Sequence, residues 1–501
     1  MQDSGRQTDT GLVSADDDQG QSHSAIIDGD TRLSYHDLGR LASRVAAGLA
    51  GIGIRGDELV VTKLHTRWEW IVINKALGQL GAIHVSASWA LKDTELRTVL
   101  ATSGAKAIIH DGSSAPDVGG GASVVTVEAD NSTEPSIRRW LEQDAPEAPD
   151  HPSARLVIFT AGTTGTPKGA LIDLASTATD QARVLAYRKD QAAHLPAGPW
   201  MRSLLCRPLH HLAGPVQAHG VLNQRGTLVI LRKFDPVAVL ELIHRHRLTH
   251  LSMVPTMVSR ILDLPSDVRS SFDVTSVRVL HVGGAPVPID LKQRAITYFS
   301  PDCLFEGYGS TELRYVTLVT PKDTFRKPGS CGRPYAGVHL RIVDSDGTDV
   351  PVGTTGEIRV DTPLRFRGYL GHPPTEGFDQ QGCFCTGDLG HLDEEGFLYI
   401  DGRQKDMIIR GGVNIYPAEI EAVLMSHPSV AEAAVIGAPD RDLGEVIWAY
   451  CELRSAQKIS VQELLAFLQE RLAPYKVPAV IKLVDALPRN AMGKVLKREL
   501  R

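Results

Sequence analysis

From about Ser24 to Asp150, apolar runs at helical spacing alternate with short apolar runs. In "SYHDLGRLASRVAAGLAGIG" the apolar positions recur every three or four residues and the run stops at glycine, which predicts an amphipathic helix. "ELVVTKL" and "KAIIHD" read as short buried strands, and "WEWIVINKALGQLGAIHV" as a helix running into a strand. Alternation of this kind predicts parallel α/β layers. Residues 113–152, rich in Gly, Ser, Pro and acids, read as a loop-laden connection.

A second α/β run extends from Leu156 to about Phe325. Its strands "RLVIFT", "GTLVIL", "VRVLHV" and "CLFEGY" mostly run straight into glycine-rich text. Ligands of open parallel sheets bind at the carboxyl ends of strands, so these turns are where a site is expected. From Gly329 to Asp401 the pattern changes to short alternating strands with many turns, a small β-rich subdomain. "EIEAVLMSHPSV", "EAAVIGAP", "VIWAYCEL" and "VQELLAFLQERL" then read as helix, strand, strand, helix, a separate α+β unit beginning near "DGRQKD". The expected architecture is α/β. A large N-terminal domain (23–403) has two layered α/β subdomains and the β-rich one, a small α+β C-terminal domain (404–501) follows, and residues 1–22 form a disordered tail.

Composition narrows the function more than the fold. At 501 residues the chain is too long for one core. A net charge of -6 offers no basic field for nucleic acid, which leaves a small molecule as the expected partner. No run approaches the apolar length of a membrane span, and no basic-then-apolar leader opens the chain. The six cysteines are scattered; Cys383 and Cys385 in "GCFCTGD" invite a metal or redox pair, but residues two apart on a strand simply share a face. Free thiols in a reducing cytoplasm fit all six.

"FTAGTTGTPKG" (Phe159 to Gly169) places glycines, threonine hydroxyls and one lysine directly after a strand. Backbone N–H groups, hydroxyls and an ammonium are what a polyphosphate needs, and glycine lets the backbone approach it. The candidates are Thr160, Gly162, Thr163, Thr164, Gly165 and Lys168. Pro167 precedes Lys168 and Gly169 follows it, so this is not a Walker loop.

Together with "HVGGAPVP", "EGYGSTE", "CTGDLG", "DGRQKDMIIRGGVNIYPAEIE" and "PRNAMGKVLKREL", in that order, the chain resembles the adenylate-forming superfamily of acyl-CoA synthetases, adenylation domains and luciferases. The resemblance covers nearly all of the sequence after the tail. It implies an adenine and ribose slot from Gly283, Gly284, Ala285, Pro286, Glu306, Gly307, Tyr308 and Gly309, with the Tyr308 ring on adenine and Asp388, helped by Arg403, on the ribose hydroxyls. It also implies Thr311 on the α-phosphate, Glu312 on Mg²⁺, and Lys494 bridging carboxylate and α-phosphate. Lys405 would be the pivot of a mobile C-terminal domain. Its rotation would withdraw Lys494 and bring Gly411, Gly412, Val413 and Asn414 to a thiol tunnel.

In "PLHHLAG" His211 falls where the family has a gate beside the substrate carboxylate, and His210 replaces an aromatic or aliphatic residue. Amino-acid-activating relatives carry an aspartate there for the substrate ammonium; Ala213 takes that place, which argues against an α-amino acid. Arg314 reads either as a partner for a second substrate group or as a solvent-facing side chain, the latter being the expectation. "GGVNIYPAEIE" resembles the CoA-ligase version of its motif. The implied reaction joins a carboxylic acid to AMP from ATP and passes the acyl group to coenzyme A. Delivery to a carrier protein, an amine or another nucleophile is the nearest alternative; a luciferase-like oxygenase and a pseudoenzyme lie further off. The identity of the acid is open.

Overall fold

Segments far apart in sequence pair to build the two large sheets. The computed structural model describes residues 24–112, 116–118, 121–128, 135–146, 155–160, 168–174, 180–410, 413–441, 443–454, 459–489 and 495–500. One sheet has nine strands in the spatial order Arg333–Pro334, Arg314–Val319, Leu304–Ser310, Val279–Gly283, His250–Met253, Arg202–Leu205, Thr227–Ile230, Ser24–Asp28, Thr31–Ser34. Its interior pairings are parallel and its edges antiparallel. A seven-stranded sheet runs Gly368–Tyr369, Lys168–Ile172, Arg155–Thr160, Ile83–Ala87, Leu59–Lys63, Ala107–His110, Ser123–Thr126.

The expected α/β layers are present, and the two runs exchange strands between their sheets. Ile26 pairs with Leu228, so the first strand belongs to the sheet of the second run. Val157 pairs with Val85, so the second run's first strand completes the sheet of the first. Hydrophobic periodicity marks each strand but carries no information on pairing across such distances. Within 113–152 the strand Ser123–Thr126 and the helix Ile137–Glu142 replace part of the expected loop; both are too short for periodicity to reveal.

Local chemistry sets the element ends. The helix Tyr35–Gly51 starts at a capping box in which Ser34 Oγ accepts from the Asp37 amide and Asp37 accepts from the Ser34 amide, each at 3.1 Å. Such a cap contributes about 1 kcal/mol. The helix buries Leu38, Ala42, Val45, Ala46 and Leu49 along one stripe. In the nine-stranded sheet, alternate side chains divide between two cores. Leu204, Cys206, Val229, Leu251, Met253, Leu280 and Val282 pack against the helices Pro236–His246, Pro255–Leu262 and Ile289–Tyr298, while Leu205, Leu228 and Ile230 face the opposite core.

The expected β-rich unit is a four-stranded antiparallel sheet, His339–Val343, Gly356–Asp361, Phe384–Leu392 and Leu398–Arg403. After the 3₁₀ turn Gln404–Asp406 a further sheet, with its own core around Ile420, Leu424, Val435, Ala449 and Leu464, carries the helices Pro417–Met425 and Val461–Gln469. Arg454 on this unit reaches Asp290 of the preceding one at 2.9 Å. All six cysteines are free, and among the described residues no cluster of His, Cys, Asp and Glu could hold a metal ion by itself. No described helix is long and apolar enough to cross a membrane.

Candidate active site

The carboxyl ends of two adjacent parallel strands form one wall. Gly283 closes the strand Val279–Gly283 opposite Gly307 of Leu304–Ser310. Gly284 continues at φ 91°, a backbone position that favours glycine, and Ala285 and Pro286 follow at the surface. Glu306 does not face this edge. It is buried in an ion pair with Lys292 at 2.6 Å, and burial raises its carboxyl pKa.

Beside that wall the β-rich sheet presents Asp388 and Arg403 as cross-strand partners. Arg403 Nε lies 3.0 Å from Asp388 Oδ1, and the Tyr308 hydroxyl donates to Oδ2 at 2.7 Å. Burial and the adjacent Asp388 push the Tyr308 pKa well up, so it is a neutral donor. Two residues from two other motifs thus converge on the carboxylate of Asp388.

Thr160 and Lys168 are register partners on antiparallel strands, and the expected phosphate loop, 161–167, lies between them in sequence, outside the described residues. Lys168 Nζ is 2.5 Å from Glu376 and 5.4 Å from the centroid of Tyr369, whose hydroxyl donates to Glu312 at 2.9 Å. Lys168, together with His372, holds the Glu376 carboxyl below its usual pKa. Thr311 and Glu312 follow Ser310 directly, so the end of one strand leads from the Tyr308 group to the Lys168 group. Glu312 fits Mg²⁺: one fixed carboxylate with free lone pairs, and no competing cage among the described residues, suits an ion that takes one or two carboxylates plus phosphate oxygens and water. Glu376 and Tyr369 were not singled out in the sequence. They lie in a loop-rich stretch, and their role depends on the short strand Gly368–Tyr369 adding to Lys168–Ile172.

His210 and His211 sit at the end of the strand Arg202–Leu205, their rings 4.4 Å apart, each with an unpartnered Nε2 among the described residues. Burial lowers their pKa values to about 4 and about 3, so both are neutral near pH 7. Arg207, just before this segment, is also buried; the reading of the sequence passed over it, although an arginine at the end of an apolar strand is itself a signal. Arg314 corrects an expectation. It does not point to solvent: it adopts φ 60°, donates to the Asp173 carbonyl, and is buried enough to pull its pKa down to about 10. The antiparallel return from Ser310, whose partner is Arg314, turns the side chain inward.

An AMP-binding enzyme family model matches residues 14–370, and the AMP-binding enzyme C-terminal domain matches residues 419–494. The chain belongs to the AMP-binding enzyme family. It is 36% identical to a feruloyl-CoA synthase from Amycolatopsis sp over 487 residues, covering 95% of each chain. ATP-bound MatB from Rhodopseudomonas palustris superposes with a TM-score of 0.85 at 30% identity, over 97% of both chains. The o-succinylbenzoate CoA synthetase of Bacillus subtilis, solved with its acyl-adenylate intermediate, gives 0.82 at 30% identity over 96% of this chain and 95% of that one.

For this AMP-binding enzyme, Lys405 lies on the exposed 3₁₀ turn between the β-rich sheet and the C-terminal unit, and Val413 is exposed on the strand Val413–Ile415. Gly162, Thr163, Thr164, Gly165, Gly411, Gly412 and Lys494 lie outside the described residues.

Proposed function

We propose that the protein is a cytoplasmic, ATP-dependent carboxylic acid–CoA ligase that works in two steps through an acyl-adenylate. The observation that carries this reading is the convergence of Tyr308 and Arg403 on Asp388 beside the Gly283–Gly284 edge. A fixed carboxylate is the natural acceptor for a ribose diol, and the flat glycine-lined edge suits adenine next to Tyr308.

In the first step a carboxylate oxygen of the acid attacks the α-phosphorus, and the bond to pyrophosphate breaks. The nucleophile is already ionised, so no general base is needed. The difficulty is anion against anion, which cations must offset. Lys168 and Lys494 supply protein charge, Thr311 holds the α-phosphate, and Thr160, Gly162, Thr163, Thr164 and Gly165 cradle the remaining phosphates. Mg²⁺ held by Glu312 would neutralise phosphate charge. Neutral His211 donates one N–H and cannot itself ionise near pH 7, which suits a gate and orienter of the acid.

In the second step the thiol of CoA attacks the acyl carbonyl, and AMP leaves with one oxygen of the original carboxylate. Residues 23–403 and 404–501 act as two domains pivoting at Lys405, so that Gly411, Gly412 and Val413 replace Lys494 at the site. A pyrophosphate-release assay over a panel of acids, with and without CoA, tests the reading. Release dependent on one acid and accelerated by CoA is expected. Acid-dependent release indifferent to CoA would overturn the acceptor, and no release with any acid would overturn the ligase.

A further inference from the structure

Arg207 is 5% exposed, and its one hydrogen bond among the described residues is from Nη1 to Ser252 Oγ at 3.4 Å. It forms no ion pair with any described acid. Arg67, the other described arginine less than a tenth exposed, shows how such a charge can be balanced: it meets Glu69, Asp111 and Glu128. A guanidinium stays charged at any working pH, and leaving it buried without a counter-ion is costly.

The Arg207 guanidinium lies beside the glycine edge and the buried Ser252. Its Nη2 lies 3.6 Å from where a β-carbon on Gly284 would sit. Ser252 and His281 are register partners on neighbouring strands, so their side chains share a face of the sheet. His281 leaves Nε2 unpartnered among the described residues, in space that a β-carbon at Gly307 would enter at 2.9 Å. The Arg207 charge acts on both His211 and His281. A permanent cation and neutral imidazoles therefore gather between the histidine segment and the glycine edge, and no described acid is ion-paired with that cation.

We propose that Arg207 is the far anchor of the acid pocket, and that the acid carries a second carboxylate that pairs with this guanidinium while its first attacks phosphorus. This rests on the ligase reading above. A planar guanidinium matches a carboxylate bidentately, and such a pair favours a diacid over a methyl-ended analogue that leaves the cation unpaired.

The test uses pairs of acids that differ only in a terminal carboxylate against a terminal methyl, on straight chains and on an aryl ring. Pyrophosphate release gives kcat/KM for each, and thermal melting with each acid gives binding independent of turnover. In the wild type the best diacid is expected to exceed its partner by about tenfold or more. That ratio should collapse in Arg207→Met and recover in part in Arg207→Lys, which keeps the charge if the first variant folds poorly. A wild-type ratio at or below one for every pair overturns the proposal. So does an equal loss for both members in the variants, which would place Arg207 on the reacting carboxylate or in folding alone. If no acid releases pyrophosphate, the ligase reading fails; a diacid-specific melting shift lost in Arg207→Met would still support the anchor, and its absence would overturn it.

Discussion

Replacing Asp388 by Asn removes the charge on which Tyr308 and Arg403 converge while keeping the shape of the side chain. In the proposed complex that carboxylate accepts from the ribose hydroxyls, and hydrogen bonds to a charged acceptor contribute about 1.5–3 kcal/mol against about 0.5–1.5 for neutral ones. The loss expected from neutralisation is therefore about 1–2 kcal/mol, or roughly 5- to 30-fold in apparent affinity for ATP. The fold should tolerate the change. The amide oxygen still accepts from the Tyr308 hydroxyl, and Arg403, 43% exposed, can turn to water. Steady-state pyrophosphate release with varied MgATP is the assay, with a melting curve as control. KM for ATP should rise by the stated factor, kcat should change less, and the melting temperature should move little. A KM within twofold of wild type would refute the assignment of Asp388 to the ribose. A large fall in melting temperature would show that the carboxylate serves packing instead.

Lys292→Met should leave Glu306 buried without its cation; removing one partner of such a pair typically costs about 3–5 kcal/mol, so melting should fall by several degrees, and an unchanged melting temperature would contradict the pairing. Burial lowers the His281 pKa from 6.5 to about 4, helped by Arg207. The neutral ring thus contributes stability that is full above pH 6.5 and is lost as pH falls toward 4, by about 2 kcal/mol near pH 5. Melting curves between neutral and mildly acid pH should show a steeper acid loss for wild type than for His281→Asn, and parallel curves would refute this. Lys494→Ala should slow adenylate formation by on the order of 10²-fold or more. It should leave thioester formation from supplied acyl-adenylate nearly intact, and an equal loss in both steps would contradict withdrawal of the lysine between them.

Most strands and helices were legible because each carries its own period: the Tyr35–Gly51 helix has a capping box and an apolar stripe, and the strand before "GGAP" is a short, mostly apolar run broken only by His281. Pairing was not legible. Nothing local in "SAIID" says that Ile26 lies beside Leu228, so the exchange of strands between the two runs could not be read. At the site, residues in recognisable motifs came together as expected, as with Asp388 and Arg403. The residues that were missed take their meaning from partners remote in sequence. Glu376 matters because it meets Lys168, Tyr369 because it meets Glu312, and Arg207 because it meets no acid among the described residues. Arg314 was misjudged because the strand reversal at Ser310, which buries it, is a feature of geometry rather than composition.

The central claim is that the acid is activated by bonding one of its own carboxylate oxygens to the α-phosphorus of ATP. The most direct measurement is the fate of that oxygen. The acid is supplied with both carboxylate oxygens labelled as ¹⁸O, turned over with ATP and CoA, and the nucleotide is analysed by mass spectrometry. The account predicts one ¹⁸O in each AMP formed and none in pyrophosphate. Unlabelled AMP, or label in inorganic phosphate alongside ADP, would contradict it.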